Sequence, residues 1–320
     1  MGLLLSGKNY YQECESLIQN GQNLLLISPY IKAPILEKLL SKKPQNARTT
    51  VITTWTPFDI QNGYSDLEVF NVTEKYKCTL LLNQRVHLKT LIEYPEKGII
   101  GSANITSKGL GIVENHNYEA GAYAELELSD KLYFDQIIEE GLLVTQDVFA
   151  SVTEQLDEMD QNSTPDDTFE LDISIDNYLL SSLPMTSSVE HLYEVYKEQE
   201  QYSVRDQTCA EADLRRYKCS KYGLAYGDFI EQIKSAFFQH SFIQDLLAYN
   251  DTGLKRGTVG RQFGDLRIWI KDHTTTVPVP TSPDVNQPLN NVINWVVELS
   301  DQYDKFVPGH TTILRKVVSV

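Results

Sequence analysis

Across its first half this chain alternates short apolar or β-branched runs with segments of helical spacing. That alternation restricts the fold to a sheet layered against helices. Asn23 to Tyr30 (NLLLISPY) is a compact apolar run closing at Pro29 and reads as a buried strand. Ala33 to Leu40 has helical spacing, Thr49 to Trp55 is a β-branched strand, and Cys78 to Leu82 is a third strand. Ser65 is expected to cap a helix running through Val69 to Lys75, with Glu68 at the reach-back position of a capping box. Arg85 to Tyr94 and Ile99 to Gly101, joined by the turn Pro95-Glu96-Lys97-Gly98, read as a hairpin. Tyr118 to Leu128 alternates like another strand, and Leu132 to Met159 looks helical.

The pattern then changes. Asp160 to Asp167 (DQNSTPDD) is polar, acidic and rich in turn formers, which suggests a linker. Beyond it, Ser188 to Gln201, Tyr226 to Tyr249, Phe263 to Lys271 and Leu289 to Asp304 have helical periodicity, while Thr274 to Gln287 reads as a Pro- and Thr-rich loop. The expected organisation is an α/β domain over 1–160, an acidic linker region over 161–187 and a mainly helical domain over 188–320 concerned with target or partner recognition. A length of 320 residues accommodates two ordinary domains.

The net charge of −16 weighs against a broad, sequence-blind coat for nucleic acid, whose affinity would come from neutralising phosphates. The acid is unevenly spread, however. Up to Val113, Lys and Arg slightly outnumber Asp and Glu; between Glu114 and Asp213 the only bases are Lys131, Lys197 and Arg205. No run is long and apolar enough to span a bilayer, and the N-terminus lacks the pattern of a secretory signal. Cys14, Cys78, Cys209 and Cys219 have no CxxC spacing, so neither a zinc site nor a disulfide framework is indicated. A soluble cytoplasmic protein without a metal, cofactor or membrane partner is expected.

The chemistry concentrates between Val86 and Glu119. His87 and Lys89 are two apart on an expected strand and so share a face, pairing a potential nucleophile with a cation. Ser102 and Asn104, again two apart, stand where the second hairpin strand ends in a small-residue turn. The Pro95 to Gly98 turn folds one pair back beside the other, so that four phosphate-compatible groups converge. A His-x-Lys alone, or a Gly-Ser-x-Asn alone, is an ordinary occurrence; the two in order across a hairpin are much less so.

These residues resemble the phospholipase D superfamily, whose motif is His-x-Lys, four residues, Asp, six residues, then Gly-Ser-x-Asn. The distance from His87 to Ser102 and Asn104 is the family distance. The continuation Ile105-Thr106-Ser107-Lys108-Gly109-Leu110-Gly111, the acid in Asn117-Tyr118-Glu119-Ala120-Gly121 and the strand end Ile27-Ser28-Pro29-Tyr30 are also similar. The resemblance covers roughly the first half of the chain. It departs at the Asp position, which holds Tyr94; Glu93 is one place early and faces the opposite side of a strand. The nuclease branch similar to metal-independent restriction enzymes also tends to lack that Asp.

The resemblance implies a layered mixed sheet flanked by helices and a metal-independent phosphodiesterase, foremost a DNA-cleaving nuclease, in a restriction or defence setting. His87 would attack phosphorus, Lys89, Ser102 and Asn104 would hold the phosphate oxygens, and Glu119 would orient the imidazole. None of His116, His191, His240, His273 and His310 has Lys two places on, so one motif per chain implies a homodimer with the site on the two-fold axis. Lys108 in the motif's tail, and Lys255, Arg256, Arg261 and Arg267 in the second half, are the candidate nucleic-acid contacts, although a solvated helix face explains the latter group equally well. The alternatives are a phospholipid phosphodiesterase, disfavoured by the single motif and the missing Asp, and an inactive phosphate- or partner-binding protein.

Overall fold

The computed structural model describes residues 4–159, 163–171, 178–219, 223–255, 257–276, 280–309 and 311–317. The chain divides into two compact units, Met1–Ile175 and Asp176–Val320. Part of the stretch read as a linker, 161–162 and 172–177, lies outside the described residues.

In the first unit the elements run β1 (Leu5–Ser6), α1 (Gly7–Asn20), β2 (Asn23–Ile27), α2 (Ala33–Leu40), β3 (Arg48–Thr53), α3 (Pro57–Gln61), α4 (Val69–Lys75) and β4 (Thr79–Leu82). They continue with β5 (Thr90–Glu93), β6 (Lys97–Gly101), β7 (Ala120–Glu125), α5 (Leu128–Glu139), β8 (Leu142–Leu143) and α6 (Gln146–Glu158). The strands form one eight-stranded sheet in the order β1-β7-β6-β5-β2-β3-β4-β8. β2, β3 and β4 are mutually parallel, and every other pairing is antiparallel. This is the mixed sheet flanked by helices that the alternation in the sequence predicts.

The apolar runs at the sheet's centre follow from its two covered faces. Leu24, Leu26, Val51, Leu80, Leu82, Leu91 and Ile99 point into a core shared with Ile18 of α1, Leu36 of α2, Phe70 of α4 and Val148 of α6. Their neighbours Leu25, Ile27, Ile52, Leu81 and Ile92 point the other way, against Phe134 and Ile137 of α5. Period two therefore holds, but both phases are apolar.

Two local expectations need correction. Ser65 does not cap α4: its buried hydroxyl donates to the Pro29 carbonyl at 3.2 Å, and Glu68 occupies the cap position with no side-chain bond. The same carbonyl accepts from the hydroxyls of Thr53 (3.1 Å) and Thr54 (3.0 Å), so the end of β2 claims the serine before the helix can. Leu132 to Met159 is not one helix, because Gly141 packs its backbone against Leu81 and lets β8 pair with β4. Helix α1 was not anticipated at all; its stripe Tyr10, Cys14, Leu17, Ile18 faces the core.

The second unit holds α7 (Val189–Lys197), α8 (Val204–Arg216), α9 (Tyr226–Gln239), α10 (Ser241–Asp251), α11 (Phe263–His273) and α12 (Ser282–Leu299). They surround a core containing Trp295, Tyr217, Phe229, Phe237 and Phe242. The helical character is as expected, but four short strands, β9 (Leu254–Lys255), β10 (Thr258–Gln262), β11 (Tyr303–Phe306) and β12 (Ile313–Lys316), form an antiparallel sheet that sequence patterning did not reveal. The expected helix over Tyr226 to Tyr249 breaks at His240, which is extended. The Pro-rich loop ends early: Thr281 and Asp284 form a capping box that starts α12 at Ser282, and Pro288 is carried inside the helix.

The segment before α7 is gripped by side chains. Asn291 donates to the carbonyls of Pro184 and Met185, Trp295 Nε1 to that of Thr186 and Asn294 to that of Ser187. Glu298 accepts the amide N–H groups of Val189 and Glu190. Residues 291, 294, 295 and 298 are one face of α12, so a single helix stripe satisfies most of an irregular segment. Asp213 of α8 completes the grip, accepting from the amides of Met185 and Thr186 and from the Thr186 hydroxyl.

Candidate active site

The register of the large sheet places the motif residues at one edge. Ile27, the last residue of β2, pairs with Thr90, the first of β5, and Thr90 pairs with Ile100 near the end of β6. Gly101 in turn pairs with Gly121 at the start of β7. His87 and Lys89, Ser102 and Asn104, and Glu119 are thus all delivered to the end of the sheet where the parallel strands β2, β3 and β4 finish, the usual place for a ligand in an α/β layer.

His87 and Lys89 precede β5 rather than lying within it, in an irregular segment over 86–89. The sharing of a face survives nonetheless. Val86 and Leu88 pack into the α5-side core, while His87 is exposed and Lys89 half-buried. The Gly101 amide donates to the Lys89 carbonyl at 3.1 Å, which fixes Lys89 beside the residue preceding Ser102. Lys89 Nζ donates to the His87 carbonyl at 2.7 Å. Burial lowers the Lys89 pKa, and the nearby Glu119 carboxylate partly opposes that shift. The His87 ring makes no hydrogen bond or ion pair among the described residues.

Ser102 is exposed, and its hydroxyl donates to Glu119 Oε2. The Ala120 amide donates back to that hydroxyl at 3.1 Å. Glu119 Oε1 accepts from Asn117 Nδ2 at 3.1 Å. Within one chain, then, Glu119 is engaged by Ser102 and Asn117, and not by the His87 imidazole as the resemblance implies. Asn104 is half-buried, and its Oδ1 accepts from the Ser28 hydroxyl at 3.3 Å. Ser28 is fully buried at the end of β2; its oxygen accepts the Ile105 amide at 3.2 Å, and its hydroxyl also lies 2.9 Å from the Tyr30 carbonyl. Sequence reasoning placed Ser28 in the strand end without giving it a task.

The glycines of both motifs are structural. Gly101 and Gly121 sit opposite each other on β6 and β7, and a Cβ on either would collide with the Tyr10 side chain of α1. Gly109 lies against the backbone of Asn104 so closely that a Cβ would come 2.5 Å from the Asn104 carbonyl oxygen. The loop following Asn104 is therefore folded back on it. The exposed Lys108 belongs to that loop, and its carbonyl accepts the Asn117 amide at 3.1 Å, which brings it near the Glu119 segment.

Tyr94, at the family's Asp position, lies at the far end of β5, on the order of 15 Å of strand from Lys89. Its buried hydroxyl joins the Lys131 carbonyl (3.2 Å) and the Asp135 carboxylate on α5. That position ties a helix to the sheet and does not reach the motif residues. Glu93 faces Lys97 across the hairpin at 3.8 Å.

The second-half candidates are placed differently. Arg261 stacks its guanidinium 3.8 Å above the Tyr249 ring, donates from Nε to the Tyr249 carbonyl (2.8 Å) and reaches Thr252 Oγ1 (3.0 Å). Arg267 is half-buried and bonds Asn286 at 3.3 Å. Both are engaged within the fold rather than displayed as a free basic face. Lys255 ends β9, and Arg256 lies outside the described residues. Among the described residues, no group of three or more His, Cys, Asp or Glu side chains is arranged to hold a metal ion, and no helix is long and apolar enough to cross a membrane.

No family model and no curated protein matches the chain. Solved structures similar to it include a phospholipase D family member, Nuc from Salmonella typhimurium, at 15% identity over 45% of this chain and 98% of that one, with a TM-score of 0.36. NucT from Helicobacter pylori is similar at 13% identity over 44% of this chain and 97% of that one, with a TM-score of 0.34. TrmBL2, an archaeal chromatin protein with a novel mode of DNA binding, is similar at 17% identity over 44% of this chain and 54% of that one, with a TM-score of 0.30. Likenesses of this strength carry no weight for the chemistry, which rests on the residues described above.

Proposed function

We propose that the chain is a phosphodiesterase acting on nucleic acid, foremost DNA, with His87 as nucleophile and without a catalytic metal. The observation that carries this reading is the assembly of Lys89, Ser102 and Glu119 at one end of the sheet, with Asn104 held beside them and, two residues before the lysine, an exposed imidazole without a hydrogen-bond partner among the described residues. A cation, a hydroxyl and an amide around a nucleophile are what a phosphoryl transfer requires.

In the proposed reaction His87 attacks phosphorus, forming a P–N bond as the P–O bond to the leaving group breaks. The partner subunit's His87 gives its proton to the leaving oxygen, then takes one from water, whose oxygen attacks phosphorus and breaks the P–N bond. Lys89 and Asn104 stabilise the charge on the non-bridging oxygens, and Ser102 is held by Glu119 to do the same. The second copy is required because a chain carries one His-x-Lys pair. Around the site, Ile100 and its cross-strand partner Ala122 are exposed, Ala120 is exposed and Tyr118 stands wholly in solvent, an apolar surface suited to such a copy.

A covalent intermediate tests the proposal. Mass spectrometry of protein quenched during turnover of an oligonucleotide should find a nucleotide adduct on the peptide bearing His87. An adduct on another residue, or turnover with no adduct and an unaffected His87→Ala chain, would overturn it.

A further inference from the structure

Tyr30 stands beside the candidate site and leads outward to two further rings, Tyr64 and Phe58, none of them with a part in the chemistry above. Ile31 and Ile105 form a parallel bridge, and the Lys32 amide donates to the Ile105 carbonyl at 3.0 Å. In that register Tyr30 runs beside Asn104. The Tyr30 ring lies 5.7 Å from the Tyr64 ring at 35°, and Tyr64 lies 6.1 Å from Phe58 at 47°. Tyr64 leaves 47% of its surface exposed, while Tyr30 and Phe58 behind it are half-buried.

The loop carrying Tyr64 is fastened on both sides. Its amide donates to the Asp59 carbonyl at 2.8 Å, Ser65 is bonded to Pro29, the Asp66 amide donates to the Ile31 carbonyl at 3.1 Å, and Asp66 Oδ2 accepts the Ala33 amide at 2.9 Å. Lys32 Nζ bonds the Gly63 carbonyl at 3.1 Å and the Asp66 carboxylate. An exposed aromatic held this firmly loses little entropy on binding a flat partner.

We propose that Tyr64, backed by Tyr30 and Phe58, is a stacking shelf for an unpaired nucleobase next to the scissile phosphate, so that the substrate is a single-stranded polynucleotide. This inference rests on the proposed nuclease reading and names its substrate. Charge supports it. Over the first 113 residues bases outnumber acids only slightly, and Lys32 is already paired with Asp66, so beside these rings a strand gains most from contacts that do not depend on charge. Stacking on aromatic rings is such a contact, and it requires bases freed from a duplex.

The test uses the His87→Ala chain, so that no cleavage competes with binding, and a fluorescent single-stranded thymidine oligonucleotide read by anisotropy. Adding Tyr64→Ala should weaken binding by about tenfold, whereas Tyr64→Phe, which keeps the ring, should bind as before. An oligonucleotide with a central abasic tract should bind the His87→Ala chain about as weakly as the thymidine oligonucleotide binds the Tyr64→Ala double variant. Equal affinity with and without the Tyr64 ring, a further tenfold loss when Tyr64→Ala is measured on the abasic tract, or no binding of the single strand at all would overturn the shelf. Hydrolysis of bis(4-nitrophenyl) phosphate by the wild-type chain reports separately on the chemistry: a shelf can fail while this diester is cleaved, and the diester can resist while the shelf binds.

Discussion

The Ser28 hydroxyl lies 3.3 Å from Asn104 Oδ1, joining the end of β2 to a motif residue 76 positions later. The same fully buried hydroxyl lies 2.9 Å from the Tyr30 carbonyl and accepts the Ile105 amide, so Ser28 fixes the Asn104 amide against the end of β2. Ser28→Ala is therefore expected to reduce kcat on a diester substrate by roughly tenfold with little change in KM, because positioning and not binding is lost. It also strands the Ile105 amide, so urea unfolding should show a stability loss of about 1–3 kcal/mol. An unchanged kcat alongside a measurable loss of stability would reduce Ser28 to a packing role.

The depressed pKa of Lys89 has a direction that kinetics can read. In the proposed reaction the cation is the form that stabilises the transition state, so activity should decline on the alkaline side at a pH below that of an ordinary lysine. The Glu119 carboxylate holds the Lys89 pKa up, so Glu119→Gln should move that decline to still lower pH. Lys89→Arg should retain its charge and remove the alkaline decline from whatever activity remains. A pH–rate profile for the three chains checks the order.

Tyr94 predicts a dissociation between stability and activity. Tyr94→Phe removes the hydroxyl that joins the Lys131 carbonyl and Asp135 and should cost about 1–2 kcal/mol in chemical denaturation. Cleavage rates should be unchanged within a factor of about two, because the residue sits at the opposite end of β5 from Lys89. A large loss of activity in a folded Tyr94→Phe chain would show that the two ends of the strand are coupled.

Asp213 makes the second unit's stability pH-dependent. Burial pushes its carboxyl up to about 6, against the opposing pull of the Met185 and Thr186 donors. The folded-state pKa is raised above the unfolded value, so the native state binds the proton more tightly. The associated stability is present in full below the unfolded pKa and is lost as pH rises through about 6. Relative to Asp213→Asn, the wild-type chain should lose about 2–3 kcal/mol between pH 4 and pH 6.5. Paired denaturant titrations across that range measure it; a flat difference would contradict the assignment.

What could be read from the sequence follows the physics of each element. The central strands were legible because both of their faces are apolar, as in Leu24 to Ile27 and Leu80 to Leu82. The spacing of His87, Lys89, Ser102 and Asn104 was legible because a hairpin fixes which residues meet. The strands β10, β11 and β12 were not, because segments such as TVGRQ and YDKF are half-exposed and carry no clean alternation. Ser28 and Tyr64 escaped for a different reason. Their partners, Asn104 and Tyr30, are brought to them by pairing between distant segments, which periodicity within a window does not encode. Arg261 shows the converse: its charge is plain in the sequence, whereas its contacts with the Tyr249 ring and carbonyl are not.

The central claim is that the His87 imidazole does the bond-breaking with side-chain cations and donors alone. Cleavage of a labelled single-stranded oligonucleotide in excess EDTA, by the wild-type chain and by His87→Ala side by side, tests it most directly. The expected result is full activity of the wild type in EDTA and a loss of at least about a thousandfold in the variant. Activity that vanishes in EDTA and returns with magnesium, or a His87→Ala chain that cleaves as well as the wild type, would contradict it.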